Sequence, residues 1–402
     1  MTDSTPEPDS RRPPFDVDKL DALMEEAGLD ALLVSSPHNL AYLLGGYRFF
    51  LYDKLDSVGV SRYAPLLGYV RGRRDLAFYV GWGDEGWGLA ANGELWIPQV
   101  EPVAWTAADA ARRAAELLAQ RVGTGPAGSG VRVGVELPYL TADAYAALKE
   151  RLPGAAFADG VLALDELRAV KTAAELADMR AGAEKVVESM LAIVAQLEAG
   201  QTTAELTERL RVEETLRGLH FDYCLIAAAP DLVRAPSSMR VEAGAALSLD
   251  SGAGYRGWVA DIARMGIVGE PSALQQELLA MVDEVQQAAR AQVAAGRLGA
   301  ELMDAARERI AAMPWPDRFH FVAHGMGRRA HEAPRLNVGK PPYPATHRER
   351  ALEAGMVLSI ETHVIDPEAG FVKLEDAVAV TADGCEGLGD GGRGWNIAGA
   401  AA

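Results

Sequence analysis

At 402 residues, 49% hydrophobic and 24% charged, the chain exceeds what one hydrophobic core normally covers and has an ordinary globular make-up, which excludes gross disorder and fibrous repeats. Its formal charge of -18 at pH 7 argues against a nucleic-acid partner, because phosphate binding needs a basic surface. The 2 cysteines form no disulfide framework and no CxxC zinc pattern, and no apolar run is long enough to span a bilayer, so the expectation is a cytoplasmic protein with no membrane association.

Residues 1–14, rich in proline, serine and charge and without the apolar stretch of a signal peptide, are expected to form a disordered lead-in. Val17 to Gly28 then reads as an amphipathic helix, with a buried strand over Ala31 to Val34. Helix and turn follow over His38 to Gly46. Pro65 to Val70 and Leu76 to Val80, separated by the charged turn Arg71 to Asp75, read as paired strands. Ala107 to Val122 and Thr141 to Leu152 carry helical periodicity on either side of a strand at Val131 to Glu136. This alternation predicts an α/β domain over residues 15–163. Long helical periodicity over Leu164 to Ile193, with Glu175 and Arg180 on its solvated face, opens a second domain over residues 164–395. From Phe221 onward, short strands punctuated by glycine are interrupted by helices at about Ala273 to Ala294 and Ala300 to Ala312, an α+β pattern of antiparallel sheet with helices on one side. The glycine-rich stretch from Gly387 is expected to be loosely ordered and carries no assigned chemistry.

Three segments of the second domain place chemistry-bearing residues among apolar ones. In LSLDSGAGYRGWVADIAR, Leu247 to Arg264, Asp250 and Asp261 sit on successive strands and can face each other across a hairpin. An aspartate in an apolar strand costs several kcal/mol unless it is paired or metal-bound. In FHFVAHGMGRRAHEAPRL, Phe319 to Leu336, three of the chain's 7 histidines, His320, His324 and His331, lie together. A glycine-flanked imidazole suits an approach to metal or substrate with backbone close by. In GMVLSIETHVIDPEAGFVKLEDAVAVT, Gly355 to Thr381, Glu361 and Glu375 each interrupt an apolar strand, and Glu361 shares a face with His363 two residues on. The bland alternatives are turn aspartates, a satisfied core histidine and a Glu375–Lys373 salt bridge. Together, four carboxylates and an imidazole suit hard or borderline divalent ions such as manganese, iron, cobalt or zinc.

The order D-x-G, D-x-x-R, H-G-x-G with H-E-x-P, then I-E and E-D, with these spacings, resembles the five-ligand pattern of the pita-bread metallopeptidase superfamily, which includes prolidase, Xaa-Pro aminopeptidase and creatinase-like proteins. The likeness is strong over Leu164 to Leu388 and holds in outline for the first domain. It implies an α+β protein with a C-terminal pita-bread domain of the creatinase/aminopeptidase kind preceded by a smaller α/β creatinase-type domain. It also implies a homodimer in which the small domain covers a neighbouring active site. The implied cofactors are two divalent ions, manganese first, with iron, cobalt or zinc as alternatives. Asp261 and Glu375 would bridge them, Asp250 would serve one, and His324 with Glu361 the other.

By the same resemblance His331 and Glu361 are catalytic, Glu361 handling a proton, and Arg335 of H-E-A-P-R binds a substrate carboxylate. His320, Arg234, His363, Arg48 and Tyr47 are further candidate substrate contacts. The implied reaction is hydrolysis of a small carboxylate-bearing molecule, Xaa-Pro dipeptides first, by a metal-bound hydroxide. The chain departs from the pattern at Val233, with Arg234 beside it, where family peptidases usually carry another histidine, and at Ala323, Thr362 and Lys373, the last standing where arginine is usual. These changes spare the ligands and leave open a non-peptidase small-molecule hydrolase or lyase, ectoine hydrolase-like or dimethylsulfoniopropionate lyase-like. Gly45 to Asp56 resembles a loop that reaches the partner's active site in creatinase-like dimers. On that reading Tyr47, Arg48, Phe49, Phe50, Tyr52 and Trp82 line a substrate pocket, and on the alternative they pack the small domain.

Overall fold

The computed structural model describes residues 12–54, 62–92, 95–122, 130–229, 232–337 and 344–399. The expected lead-in, apart from residues 12–14, lies outside them, as does Asp56 of the aromatic loop. The chain divides into two compact units after Leu167.

The N-terminal unit is a six-stranded mixed sheet with helices. Its strands are β1 (Ala31–Val34), β2 (Leu66–Val70), β3 (Arg73–Trp82), β4 (Gln99–Ala104), β5 (Arg132–Val135) and β6 (Ala156–Asp159), in the order β4-β3-β2-β1-β5-β6. β1, β2 and β3 pair antiparallel and the other neighbours parallel. The helix Ala107–Arg121 starts at a Thr106/Asp109 capping box and turns Ala110, Ala111, Ala114 and Leu118 into the core. Two buried carboxylates brace this unit. Glu85 accepts the hydroxyls of Tyr47, Tyr63 and Tyr79 at 3.0, 2.8 and 2.6 Å and the Trp82 N–H at 2.9 Å. Glu136 accepts the backbone N–H groups of Ser35 and Ser36, the Ser36 hydroxyl and the Asn39 amide. Such saturation removes the cost that burying a lone carboxylate would carry.

The long helical run read over Leu164 to Ile193 is broken. Val161–Leu167 closes the first unit, and a new helix, Ala173–Ala195, begins the second. The break has a local cause: the Thr172 hydroxyl accepts the Glu175 N–H while the Glu175 carboxylate accepts the Thr172 N–H. Glu175 therefore caps a helix start.

The second unit is built on a nine-stranded sheet. Its members are β7 (His220–Cys224), β8 (Ala227–Ala228), β9 (Ala246–Tyr255), β10 (Trp258–Ile267), β11 (Phe319–Gly325), β12 (Val357–Asp366), β13 (Gly370–Val380), β14 (Cys385–Leu388) and β15 (Trp395–Ile397). The main path runs β11-β12-β13-β10-β9-β7. The two-residue turn Arg256–Gly257, with positive φ at both positions, closes the β9–β10 hairpin. One sheet face packs on the helix Ala273–Arg290, whose Leu278, Val282, Val285 and Ala289 join Ile360, Val364, Val372 and Leu374 in one core. Full burial of each large aliphatic chain there contributes about 1.5–3 kcal/mol. Among the described residues no helix is long and apolar enough to cross a membrane.

The glycine-rich tail is not loosely attached, contrary to expectation. β14 pairs with β13 and β15 with β10. The carbonyls of Gly389 and Gly391 accept the Arg264 guanidinium at 2.8 and 2.6 Å, and Arg393 pairs with Asp376 at 2.8 Å. Glycine composition suggested freedom, but here backbone carbonyls are tied to a buried cation.

One buried acid makes stability depend on pH. The Glu214 carboxyl is fully buried, one oxygen accepting the Ser251 hydroxyl at 2.8 Å and the other lacking any partner. Burial pushes it up to about 7. A carboxyl raised on folding releases its proton more readily when unfolded, so its contribution falls as pH climbs from the unfolded value towards 7. The loss between pH 5 and 8 is about 2–3 kcal/mol. Glu214→Gln is expected to flatten that part of the profile in denaturant titrations; an unchanged pH dependence would show that Glu214 is not the titrating group.

Candidate metal centre

Strand register explains how residues over a hundred positions apart converge. Asp250 of β9 pairs with Ala263 of β10, Ala263 with Glu375 of β13, and Glu375 with Glu361 of β12. Directly paired residues share a face, and so do residues two apart along a strand. Asp261, two before Ala263, therefore joins Asp250, Glu361 and Glu375. His324 joins them too, being two residues beyond Val322, which pairs with Glu361. Asp250 and Asp261 are thus diagonal across the hairpin and not directly opposite, since Asp261 pairs with Gly252. The opposite face carries Ile360, Thr362 and Leu374 towards the core helix.

These side chains form overlapping groups whose potential ligand atoms lie within 4.8 Å of one another: His324, Glu361 and Glu375; Asp250, Asp261 and Glu375; and Asp261, His324 and His331. They line a cleft of about 380 Å³ together with Tyr223, Leu225, Arg234, Ala330 and Lys373. His324 Nε2 lies 3.9 Å from Glu361 Oε1 and 3.8 Å from Glu375 Oε1, too far for hydrogen bonds but suited to two ligands of one ion. Asp261 Oδ1 is buried without a hydrogen-bond partner. An orphaned carboxylate oxygen amid other donors is what a cation site requires, so the residues present fit divalent metal.

Lys373 lies inside the cluster, its Nζ 2.7 Å from Asp250, 2.6 Å from Glu361 and 2.8 Å from Glu375. Arg234 also pairs with Asp250. Burial drives the Asp250 carboxyl up, and Glu375 adds to this, so that even these two cations leave it raised to about 6. Burial and the charges of Glu375 and Asp250 push Asp261 well above its ordinary range. Burial also opposes the charged form of Glu375, but Lys373 and His324 outweigh it and hold this carboxyl well below the usual range. For His324 burial is again overcome, by Glu375, Asp261 and Glu361, which lift it to about 9. His331 is exposed but lies face to face with His324 at 3.8 Å between ring centroids, and desolvation with the charge of the neighbouring imidazole lowers it to about 4.

Two close approaches shape the site. A Cβ at Gly252 would lie 2.4 Å from the Tyr223 ring, so only glycine lets that tyrosine cross β9 into the cleft lined by Asp261. A Cβ at Gly327 would lie 1.8 Å from Glu332 Oε1. Buried Glu332 is held there by Arg168 at 3.1 Å and Lys171 at 3.3 Å, which fixes the loop carrying His331. Tyr223 went unrecognised in the sequence. Its only signal is the glycine of D-x-G, which does not name what fills the space.

Of the other candidates, His320 and His363 stack at 5.1 Å, His363 meets Phe371 at 4.8 Å, and the Arg234 guanidinium sits 5.0 Å over Phe371. Arg234 lines the cleft, whereas His320, His363 and Arg335 are not among its lining residues. Burial, His320, Lys373 and Arg234 lower His363 to about 3. Arg335 is buried, its backbone N–H donating to His347 Nδ1 at 3.1 Å. Tyr47 and Arg48 belong to the N-terminal unit, where the Tyr47 hydroxyl is spent on Glu85 and Arg48 is exposed.

With this geometry in hand, comparison with known proteins is decisive: the model of metallopeptidase family M24 matches residues 177–382. The chain belongs to metallopeptidase family M24. The creatinase/prolidase N-terminal domain model matches residues 17–170 of this M24 protein, so the superfamily and the α+β two-domain class expected from the motifs are both met. Similar curated proteins include an uncharacterised peptidase, YqhT, of Bacillus subtilis, 27% identical over 259 residues, or 63% of this chain and 71% of the relative. The Xaa-Pro dipeptidase of Pyrococcus furiosus is 29% identical over 233 residues, 56% of this chain and 64% of the relative. That of Lactobacillus delbrueckii subsp. lactis is 24% identical over 383 residues, covering 92% and 95%. Among solved structures, a dipeptidase from Pyrococcus horikoshii OT3 matches with a TM-score of 0.77 at 21% identity, covering 95% of this chain and 99% of that one. The M24 fold is shared; at that identity the likeness speaks for the fold alone.

Proposed function

We propose that this M24 protein is a metal-dependent hydrolase of Xaa-Pro dipeptides. The observation that carries the reading is the pair of donor groups sharing Glu375, with an unpartnered buried oxygen on Asp261 between them. Asp261, His324, Glu361 and Glu375 hold one divalent ion, and Asp250, Asp261 and Glu375 a second, manganese first with iron, cobalt or zinc as alternatives. Ions bound there supply Lewis-acid polarisation of a carbonyl and acidification of water. The named relatives from Pyrococcus and Lactobacillus support the choice of Xaa-Pro dipeptides.

The protein's own groups do the rest. The Glu361 side chain is 17% exposed against 2% for Asp250 and Glu375, which makes it the carboxylate placed to pass a proton between the cluster and the cleft. His331, neutral at pH 7, offers an uncharged ring to the substrate beside His324. Arg335 is assigned the substrate carboxylate on its place in H-E-A-P-R. A homodimer that brings Tyr47 and Arg48 to a neighbouring site, and a cytoplasmic location, complete the proposal.

The test is turnover by protein stripped of metal and reloaded with manganese, cobalt, iron or zinc. Xaa-Pro dipeptides are expected to be cleaved, with oxygen from water in the product and activity lost on chelation. Intact peptides under all four metals, with ectoine or dimethylsulfoniopropionate consumed instead, would overturn the substrate assignment.

A further inference from the structure

Gln286 is fully buried on the face of the helix Ala273–Arg290 that packs against the sheet, among Val282, Val285 and Ala289. A polar side chain in an apolar face is costly unless each of its groups is satisfied, and here each is. Its Nε2 amide donates to the Ile360 carbonyl at 2.8 Å, with longer contacts of 3.3 Å to the Leu374 carbonyl and to Asp376 Oδ2. Its Oε1 accepts the Thr362 hydroxyl at 3.1 Å. The two carbonyls belong to the peptide groups that lead into Glu361 and Glu375, which pair directly across β12 and β13. One side chain therefore grips, from the reverse face of the sheet, the backbone just before both carboxylates. Buried Thr362, which orients it, is one of the positions where the sequence departs from the superfamily pattern.

We propose that Gln286, oriented by the Thr362 hydroxyl, is a positioning residue that fixes the placement of Glu361 and Glu375 relative to each other and to His324. The inference rests on the metal reading above and names the part of the protein that holds the donors still. Strand pairing sets which residues lie opposite one another, but the twist between neighbouring strands varies, and an amide that spans both strands fixes it at this point. The amide has to face one way. The Ile360 and Leu374 carbonyls and the Asp376 carboxylate all accept, so Nε2 must point at them, and a hydroxyl donating to Oε1 secures that orientation. A packing role needs none of this, because methionine would fill a similar volume without any polar group to satisfy. Displacing a reacting group by about 1 Å costs on the order of 10²-fold in rate, so a grip on the backbone of two carboxylates has a functional consequence.

Calorimetric titration of the metal-free full-length protein with manganese(II) chloride, beside steady-state kinetics of the reloaded protein with Xaa-Pro dipeptides, tests this. Gln286→Met is expected to weaken manganese binding by about 10- to 100-fold and to lower kcat by a similar factor with KM little changed. Thr362→Val, which removes a hydroxyl and keeps the side-chain shape, should shift both in the same direction by about tenfold. Thr362→Ser restores the hydroxyl and should bind manganese as the wild type does. Val285→Ala, on the same buried helix face, controls for stability: it should lower the melting temperature and leave manganese affinity unchanged. If Gln286→Met does not fold, the two Thr362 variants decide alone. Wild-type affinity in Thr362→Val and in any folded Gln286→Met, Thr362→Ser as weak as Thr362→Val, or an equal loss in Val285→Ala would overturn the inference and leave the metal reading standing. A wild type that binds no manganese removes the metal reading and this inference with it. Weakened binding in the variants, with no dipeptide turnover by the wild type, supports the inference and removes only the substrate.

Discussion

Glu375→Ala is expected to lower turnover by about 10³-fold or more and to remove ion binding, the largest effect of any single change in the site. Glu375 belongs to two of the three donor groups that converge on one sheet face and is the carboxylate that links His324 and Glu361 to Asp250, which lies on β9 across β10, while Glu361 lies beside it on β12. Its geometry is locked by the Ser359 hydroxyl, which donates to Oε1 at 2.7 Å, and by Lys373 on Oε2. Alanine would leave the Lys373 ammonium with Asp250 and Glu361 and would deprive His324 of its strongest carboxylate neighbour. Steady-state kinetics with the dipeptide series measures the rate. Activity within tenfold of the wild type would place the chemistry elsewhere.

The second large effect is on stability. Arg264, the arginine of D-x-x-R, is 1% exposed and lies behind the metal face on β10. It donates to the carbonyls of Ala263, Glu375, Gly389 and Gly391 at 2.6–2.8 Å and pairs with buried Asp376 at 3.1 Å. Arg264→Met would strand those carbonyls and remove one of the cations that surround Asp376, the others being Arg290 and Arg393. Breaking a buried pair from one side costs about 3–5 kcal/mol. For a unit of this size that is a fall in melting temperature on the order of 10 °C. A scanning-calorimetry shift under 2 °C would show that the tail and Asp376 hold without it.

The candidate metal cluster was legible in the sequence as polar residues interrupting apolar strands, and burial makes such interruptions costly unless something pairs with them. Asp250, Asp261, Glu361 and Glu375 are of this kind. Helix starts were also close, since hydrophobic period and cap residues are local signals, as at Ala107 and Ala273. Register was not legible. Lys373 could be seen as a neighbour of Glu375 by the strand period of two, but its contacts with Asp250 and Glu361 depend on which strands lie side by side. Tyr223 escaped for the same reason, arriving from β7 through the gap at Gly252. The tail was misjudged because glycine composition says nothing of carbonyls captured by a distant arginine. β4 and β6 of the first unit escaped as well, being short and only partly apolar, as in AFAD.

The most direct test of the account is a manganese titration of metal-free wild type beside metal-free Glu375→Ala, followed by calorimetry, with circular dichroism confirming that both are folded. The account predicts tight binding to the wild type and none to the variant. A folded variant that binds manganese as the wild type does, or a wild type that binds none, would contradict it.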